Sequence, residues 1–222
     1  MSKKKIITVI AFIILIIVVG VGYYFLDYYN LIPKKYYFDE DFGIQYHYSG
    51  NDYDQDEIDD YVEMLNGARK FVEQKPKYKS EYYDGGYPPE GIGVCTDVVA
   101  SAFLEAGYDL RELVDSDIRA NRENYPDIPV VDKNIDYRRV RNLKIFLDRN
   151  AISLTTDIHD IKEWQGGDIV VFPKHIAIVS DKRNKEGITY IIHHGGQPKY
   201  EEDGLKRYEG KVVGHYRFSI EK

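Results

Sequence analysis

Cys95 is the single cysteine of the 222-residue chain, and the residues after it, Val98, Val99, Ala102, Phe103 and Ala106, form a helical apolar stripe that ends at Gly107. That places the thiol at a helix start. Unpaired amides there carry partial positive charge, which lowers a thiol pKa and can stabilise the oxyanion formed when a thiolate attacks a carbonyl. Such a nucleophile needs a base from elsewhere in the fold, and His175, opening the run HIAIVSD, is the candidate. The imidazole in turn needs a polar group to fix its tautomer, and His193 and His194 lie one turn and one strand further on. Side chains alternate across a strand, so at most one of these two faces the site. The competing reading of Cys95 is a small buried hydrophobe.

The elements that must position these groups follow from periodicity. Ile58, Tyr61, Val62, Leu65, Ala68 and Val72 predict an amphipathic helix ended by Pro76, and a Tyr- and Gly-rich loop, EYYDGGYPPEGIG, leads into the Cys95 helix. A short helix over Leu110 to Ile118 and another carrying Val140, Leu143, Phe146 and Leu147 follow. After Trp164 the pattern changes to short β-branched or aromatic runs, Asp168 to Phe172, His175 to Ser180, Ile188 to His193 and Val212 to Phe218. Helices first and strands afterwards predict an α+β fold. Residues 27–57, with Pro33, paired tyrosines and Asp52, Asp54 and Asp56 among acids running to Asp60, read as a solvated tether and helix start.

From Ile6 to Phe25 no residue is charged, long enough as a helix to span a bilayer. Lys3, Lys4 and Lys5 precede the run and Asp27 follows it, so the positive-inside bias puts the N-terminus in the cytoplasm and the remainder outside. The run exceeds a signal-peptide core and no A-x-A site follows, which predicts an uncleaved anchor. The expected organisation is a cytoplasmic stub (1–5), a transmembrane anchor (6–26), a tether (27–57) and one domain (58–222). A lone extracytoplasmic cysteine forms no internal disulfide, so the domain relies on its core. Beyond residue 26 there are 27 basic against 37 acidic residues, which argues against a nucleic-acid binder. No C-x-x-C or H-x-x-x-H spacing supports a zinc site, so neither metal nor cofactor is expected.

The segments YYDGGYPPEGIGVCTDVV, WQGGDIVVFPKHIAIVSD and YIIHHGG resemble the NlpC-type cell-wall cysteine peptidases of the papain-like superfamily. With NIDYRRV and GHYRF added, they resemble the bacterial family numbered 1287 among domains of unknown function, over roughly Ile58 to Phe218. The resemblance implies a papain-like fold with N-terminal helices packed on an antiparallel sheet. It also implies Cys95 as nucleophile, His175 as base and His193 as the third residue, with His194 in reserve. A site-lining tyrosine is implied as well: Tyr82 by alignment through Gly85 and Gly86, Tyr83 by distance to Cys95. Where the superfamily has an acid before the cysteine this chain has Val94. Asp97, in the first helical turn, is either an N-terminal stabiliser or a substrate-binding group. Arg138 and Arg139, beside Asp136, suit carboxylate recognition or an ion pair. The activity implied is hydrolysis of an amide bond in peptidoglycan stem peptides, as endopeptidase or amidase, by a membrane-anchored extracytoplasmic enzyme whose partners are the wall and, through its helix, the membrane. The alternative is a non-catalytic wall- or protein-binding module on the same fold.

Overall fold

A computed structural model describes residues 2–29, 31–208 and 210–220. The chain divides into two units, Met1–Lys35 and Tyr36–Lys222. The first is built on helix α1 (Lys3–Tyr28), capped by the Ser2 hydroxyl; none of its side chains is buried, and it is long and apolar enough to cross a membrane.

The second unit is α+β. Helix α2 (Asp60–Glu73) starts where Asp59 accepts the Tyr61 amide at 3.0 Å, and it buries Tyr61, Met64, Leu65, Ala68 and Val72. It packs on α3 (Cys95–Glu105) across Gly67, where any β-carbon would sit 2.6 Å from the Ser101 carbonyl. Only glycine permits that approach. The two-residue strands β1 (Lys77–Tyr78) and β2 (Ile92–Gly93) pair in parallel ahead of α3. Helices α4 (Leu110–Ala120) and α5 (Val140–Asn150) complete the helical layer.

The main sheet is antiparallel, in the order β3 (Ile152–Ser153), β8 (Gly214–Arg217), β4 (Ile169–Phe172), β5 (His175–Arg183), β6 (Thr189–Ile192) and β7 (Glu201–Glu202). Its register, Val171 opposite Ile176 and Ile178 opposite both Ile169 and Ile192, sorts the side chains by face. Ile169, Val171, Ile176, Ile178, Ile192 and Tyr216 join the helices, Cys95 included, in one core cluster. Val170, Phe172, Ala177, Val179 and Ile191 form a second cluster on the other face with Trp164 and Leu205, the latter on α6 (Gly204–Arg207).

The helices and main strands fall where periodicity predicts them. The tether reading of residues 27–57 is corrected from Tyr36 onward. Tyr37 bridges to Arg183, the buried Arg183 guanidinium donates to Asp39 at 2.5 Å, Tyr46 Oη donates to the Gly166 carbonyl at 3.0 Å, and Gln165 brackets the backbone of His47. These are single polar contacts spread along irregular chain, so no periodicity announces them.

Candidate active site

Two histidines meet at one end of the sheet. His175 opens β5 and His193 follows β6, and alternation puts both on the face of Ala177, Val179 and Ile191. His175 Nε2 lies 2.6 Å from His193 Nδ1. On its far side His193 Nε2 lies 3.2 Å from Glu202 Oε1, and Arg207 holds both Glu202 oxygens at 2.8 Å. Burial raises the Glu202 carboxyl, but the bonds from His193 and Arg207 outweigh it and hold the group below the usual carboxylate range.

An ionised Glu202 accepts, so His193 Nε2 donates to it and His193 Nδ1 is the bare nitrogen. His175 then donates from Nε2, which leaves its Nδ1 bare and able to take a proton. The Gln197 amide nitrogen also lies 3.0 Å from His193 Nε2, with its oxygen fixed by the Gly195 amide and its nitrogen donating to the Lys199 carbonyl. Glu202 and Gln197 thus compete for one ring nitrogen, and the carboxylate sets the base-competent tautomer. Burial, with His193 and His194 nearby, pushes the His175 pKa down to about 4, so the ring is neutral at pH 7. His175, His193, Gln197 and Glu202 line a cavity of about 540 Å³, together with Phe172, Tyr208, Lys174 and Lys211.

Cys95 begins α3 as predicted, but its thiol is not lowered. Burial pushes it up and Asp97 adds to this, against the backbone amides of Ile176, Thr96 and Cys95 itself. The residue is 9% exposed within the helix-side core. The Ile176 amide ties the sulfur to the backbone immediately after His175. Among the described residues no hydrogen bond joins Cys95 to the His175 ring, and Cys95 is absent from the described cavity lining.

The structure does not bring the other sequence-derived candidates to the cavity. His194 turns to the opposite face, 2% exposed, with its ring 5.3 Å from Tyr78 and 5.1 Å from Tyr200. Among the described residues neither of its nitrogens has a partner at ordinary hydrogen-bond geometry. Burial lowers its pKa, while the more distant carbonyls of Lys77 and Pro76 pull the other way. Asp97 accepts from the Val94 amide at 2.8 Å and from Arg138 Nε and Nη2 at 2.9 Å each, in a pair that is almost wholly buried. Tyr83 is covered by the Arg138 guanidinium, 4.9 Å above its ring, and Tyr82 is exposed, its hydroxyl accepting from Asn134 at 3.2 Å. The helix-stabilising role of Asp97 and the ion-pair role of Arg138 are the ones present.

Glu202, Arg207 and Gln197 were missed by sequence reasoning. Gln197 lies within the GGQP turn, Glu202 on a two-residue strand and Arg207 at the end of the short α6, none of which has a period to read. The remaining quoted segments serve as supports. Tyr137 Oη donates to the Gly86 carbonyl at 2.8 Å, and Asp168 accepts from Arg217 at 2.6 and 2.9 Å with His215 Nε2 3.0 Å away.

Compared with known families, residues 65–218 match the family model described as "Domain of unknown function (DUF1287)". The chain belongs to this family. The curated "Uncharacterized protein YijF" of Escherichia coli (strain K12) is 36% identical over 169 residues, covering 71% of this chain and 81% of that protein. No solved structure matches the chain. The DUF1287 match spans Cys95, His175, His193 and Glu202, and it begins after the first turn of α2, so residues 36–64 lie outside it.

Proposed function

We propose that this DUF1287 protein is a membrane-anchored, extracytoplasmic thiol hydrolase of NlpC-like, papain-like type that cleaves an amide bond of peptidoglycan stem peptides. The observation that carries the reading is the relay His175–His193–Glu202–Arg207, which leaves His175 Nδ1 bare, one residue ahead of the Ile176 amide that bonds the Cys95 sulfur. In the proposed reaction Nδ1 takes the thiol proton as the sulfur attacks the amide carbonyl, and the α3 N-terminal amides receive the oxyanion. Return of the proton to the leaving amine breaks the C–N bond and leaves an acyl-thioenzyme, which water hydrolyses. Lys174, Arg207 and Lys211 at the cavity suit the free carboxylates of stem peptides, with Phe172 and Tyr208 as apolar walls.

A second reading, a binding module that retains an inert thiol, draws on the burial of Cys95 and the absence of a bond to His175. Digestion of purified peptidoglycan and defined muropeptides by wild type, Cys95→Ala, His175→Ala and His194→Ala, read by mass spectrometry, separates the two. Hydrolysis predicts one amide product that disappears with Cys95→Ala and His175→Ala and survives His194→Ala. Fragments bound but uncut by all four favour the module, and equal cleavage by wild type and Cys95→Ala sinks the thiol assignment.

A further inference from the structure

The segment ahead of α2 carries a pattern that the site above does not use. Asp52, Asp54 and Asp56 place their carboxylate oxygens within 4.8 Å of one another. Seven residues beyond Asp56 stands Glu63, in the first turn of α2, 2% exposed, its Oε2 without a hydrogen-bond partner among the described residues. The charges acting most strongly on Glu63 are those of Asp54 and Asp56. A buried carboxylate therefore stands among the charges of other carboxylates, and Lys70, whose charge interacts with it, is bonded to Glu105. A cation among these oxygens would offset their mutual repulsion and the cost of burying Glu63.

The order Asp-x-Asp-x-Asp-x6-Glu has the ligand spacing of a twelve-residue calcium loop. The sixth position of such loops requires a left-handed backbone; here Glu57 occupies it, with φ 74°. The first-position carboxylate, Asp52, accepts from the amides of Gln55, Asp56 and Glu57, folding the loop around itself. At the ninth position both oxygens of Asp60 are engaged by the Tyr53 amide, Tyr108 and Ser219, which leaves that place to water.

We propose that residues 52–63 bind one calcium ion, with Asp52, Asp54, Asp56 and Glu63 as side-chain ligands and Ile58 supplying the loop's backbone carbonyl. Four carboxylates exceed what magnesium takes from protein, whereas calcium accepts six to eight oxygens in flexible geometry. The ion would tie the loop to α2 and, through Tyr53, whose ring is tilted against that of Tyr108 with centroids 4.3 Å apart, to the turn after α3. This site lies outside the matched DUF1287 segment and needs no hydrolytic activity.

The test uses the full-length chain in detergent, stripped with chelator, titrated calorimetrically with calcium chloride or magnesium chloride alone and melted with and without each salt. The expected result is one calcium per chain with a dissociation constant at or below about 10⁻³ M, weaker magnesium binding, and a melting temperature raised by several degrees in excess calcium. The variant Asp54→Asn/Asp56→Asn, at exposed positions, should melt like the stripped wild type and bind at least about tenfold more weakly, and Glu63→Gln should do the same. No saturable binding at millimolar calcium, or wild-type binding in both variants, overturns the site. Equal affinity for magnesium overturns the calcium assignment.

Discussion

A buried thiol with a raised pKa and a histidine that is neutral at pH 7 are both uncharged at rest, unlike a thiolate–imidazolium pair. Cys95 is the single cysteine, so alkylation reports it alone. With its pKa raised above the ordinary value, the rate of reaction with iodoacetamide should still be climbing from pH 7 to 9. A plateau below pH 7 would show a preformed thiolate and contradict the burial argument. The second residue-scale prediction concerns the tautomer. Glu202→Gln replaces an obligate acceptor with an amide that can also donate, so the Gln197 amide wins His193 Nε2 and the proton order along the relay reverses. His175 then carries its proton on Nδ1, and turnover should fall by about 10² or more, since a wrong tautomer alone can cost up to about 10⁴. Nitrogen chemical shifts of the two rings should exchange between protonated and bare values. Lost activity with unchanged shifts would mean that Glu202 acts through packing instead.

Between α3 and the loop before it, the Arg138–Asp97 pair performs the positioning that sets Cys95 in place. Arg138 also donates to the Glu81 carbonyl at 2.7 Å, so one guanidinium holds the helix start and the loop together. Arg138→Met strands a buried carboxylate, a loss of about 3–5 kcal/mol, partly offset by the helix dipole. The melting temperature should fall by roughly 6–15 °C, and adding Asp97→Asn, which keeps the cap to Val94, should recover part of it. A fall of under about 2 °C would show that the pair is dispensable. The helices and long strands were legible because their apolar periods were intact, and with them the places of Cys95, His175 and His193 at the ends of such elements. Glu202 was not, since a two-residue strand has no period. The acidic loop was hidden by Glu57 standing where calcium loops carry glycine, which left a run of acids that reads as solvated spacer. Residues 36–50 were hidden because their docking rests on individual contacts such as Asp39 to Arg183.

At the scale of the whole molecule, the proposed chemistry depends on which side of the membrane the second unit occupies. The apolar helix supports a membrane span, while its direction rests on the charge bias alone. Lys3, Lys4 and Lys5 lie on one flank and Asp27 on the other, and short-range Lys/Arg bias is the main determinant of orientation. The measurement uses a Cys95→Ser background with one new cysteine at exposed Val130, probed in intact cells by a membrane-impermeant maleimide. Val130 lies far in sequence from the helix and outside the described strands, so its replacement leaves the sheet undisturbed. Labelling should occur without permeabilisation. Replacing all three lysines with glutamine should reduce it by making the inverted form competitive, and moving three lysines to the Asp27 flank should reduce it further. Labelling that appears only after permeabilisation would place the relay in the cytoplasm. Stem peptides assembled in the wall would then be out of its reach, and the hydrolase reading would have to find its substrate among cytoplasmic amides.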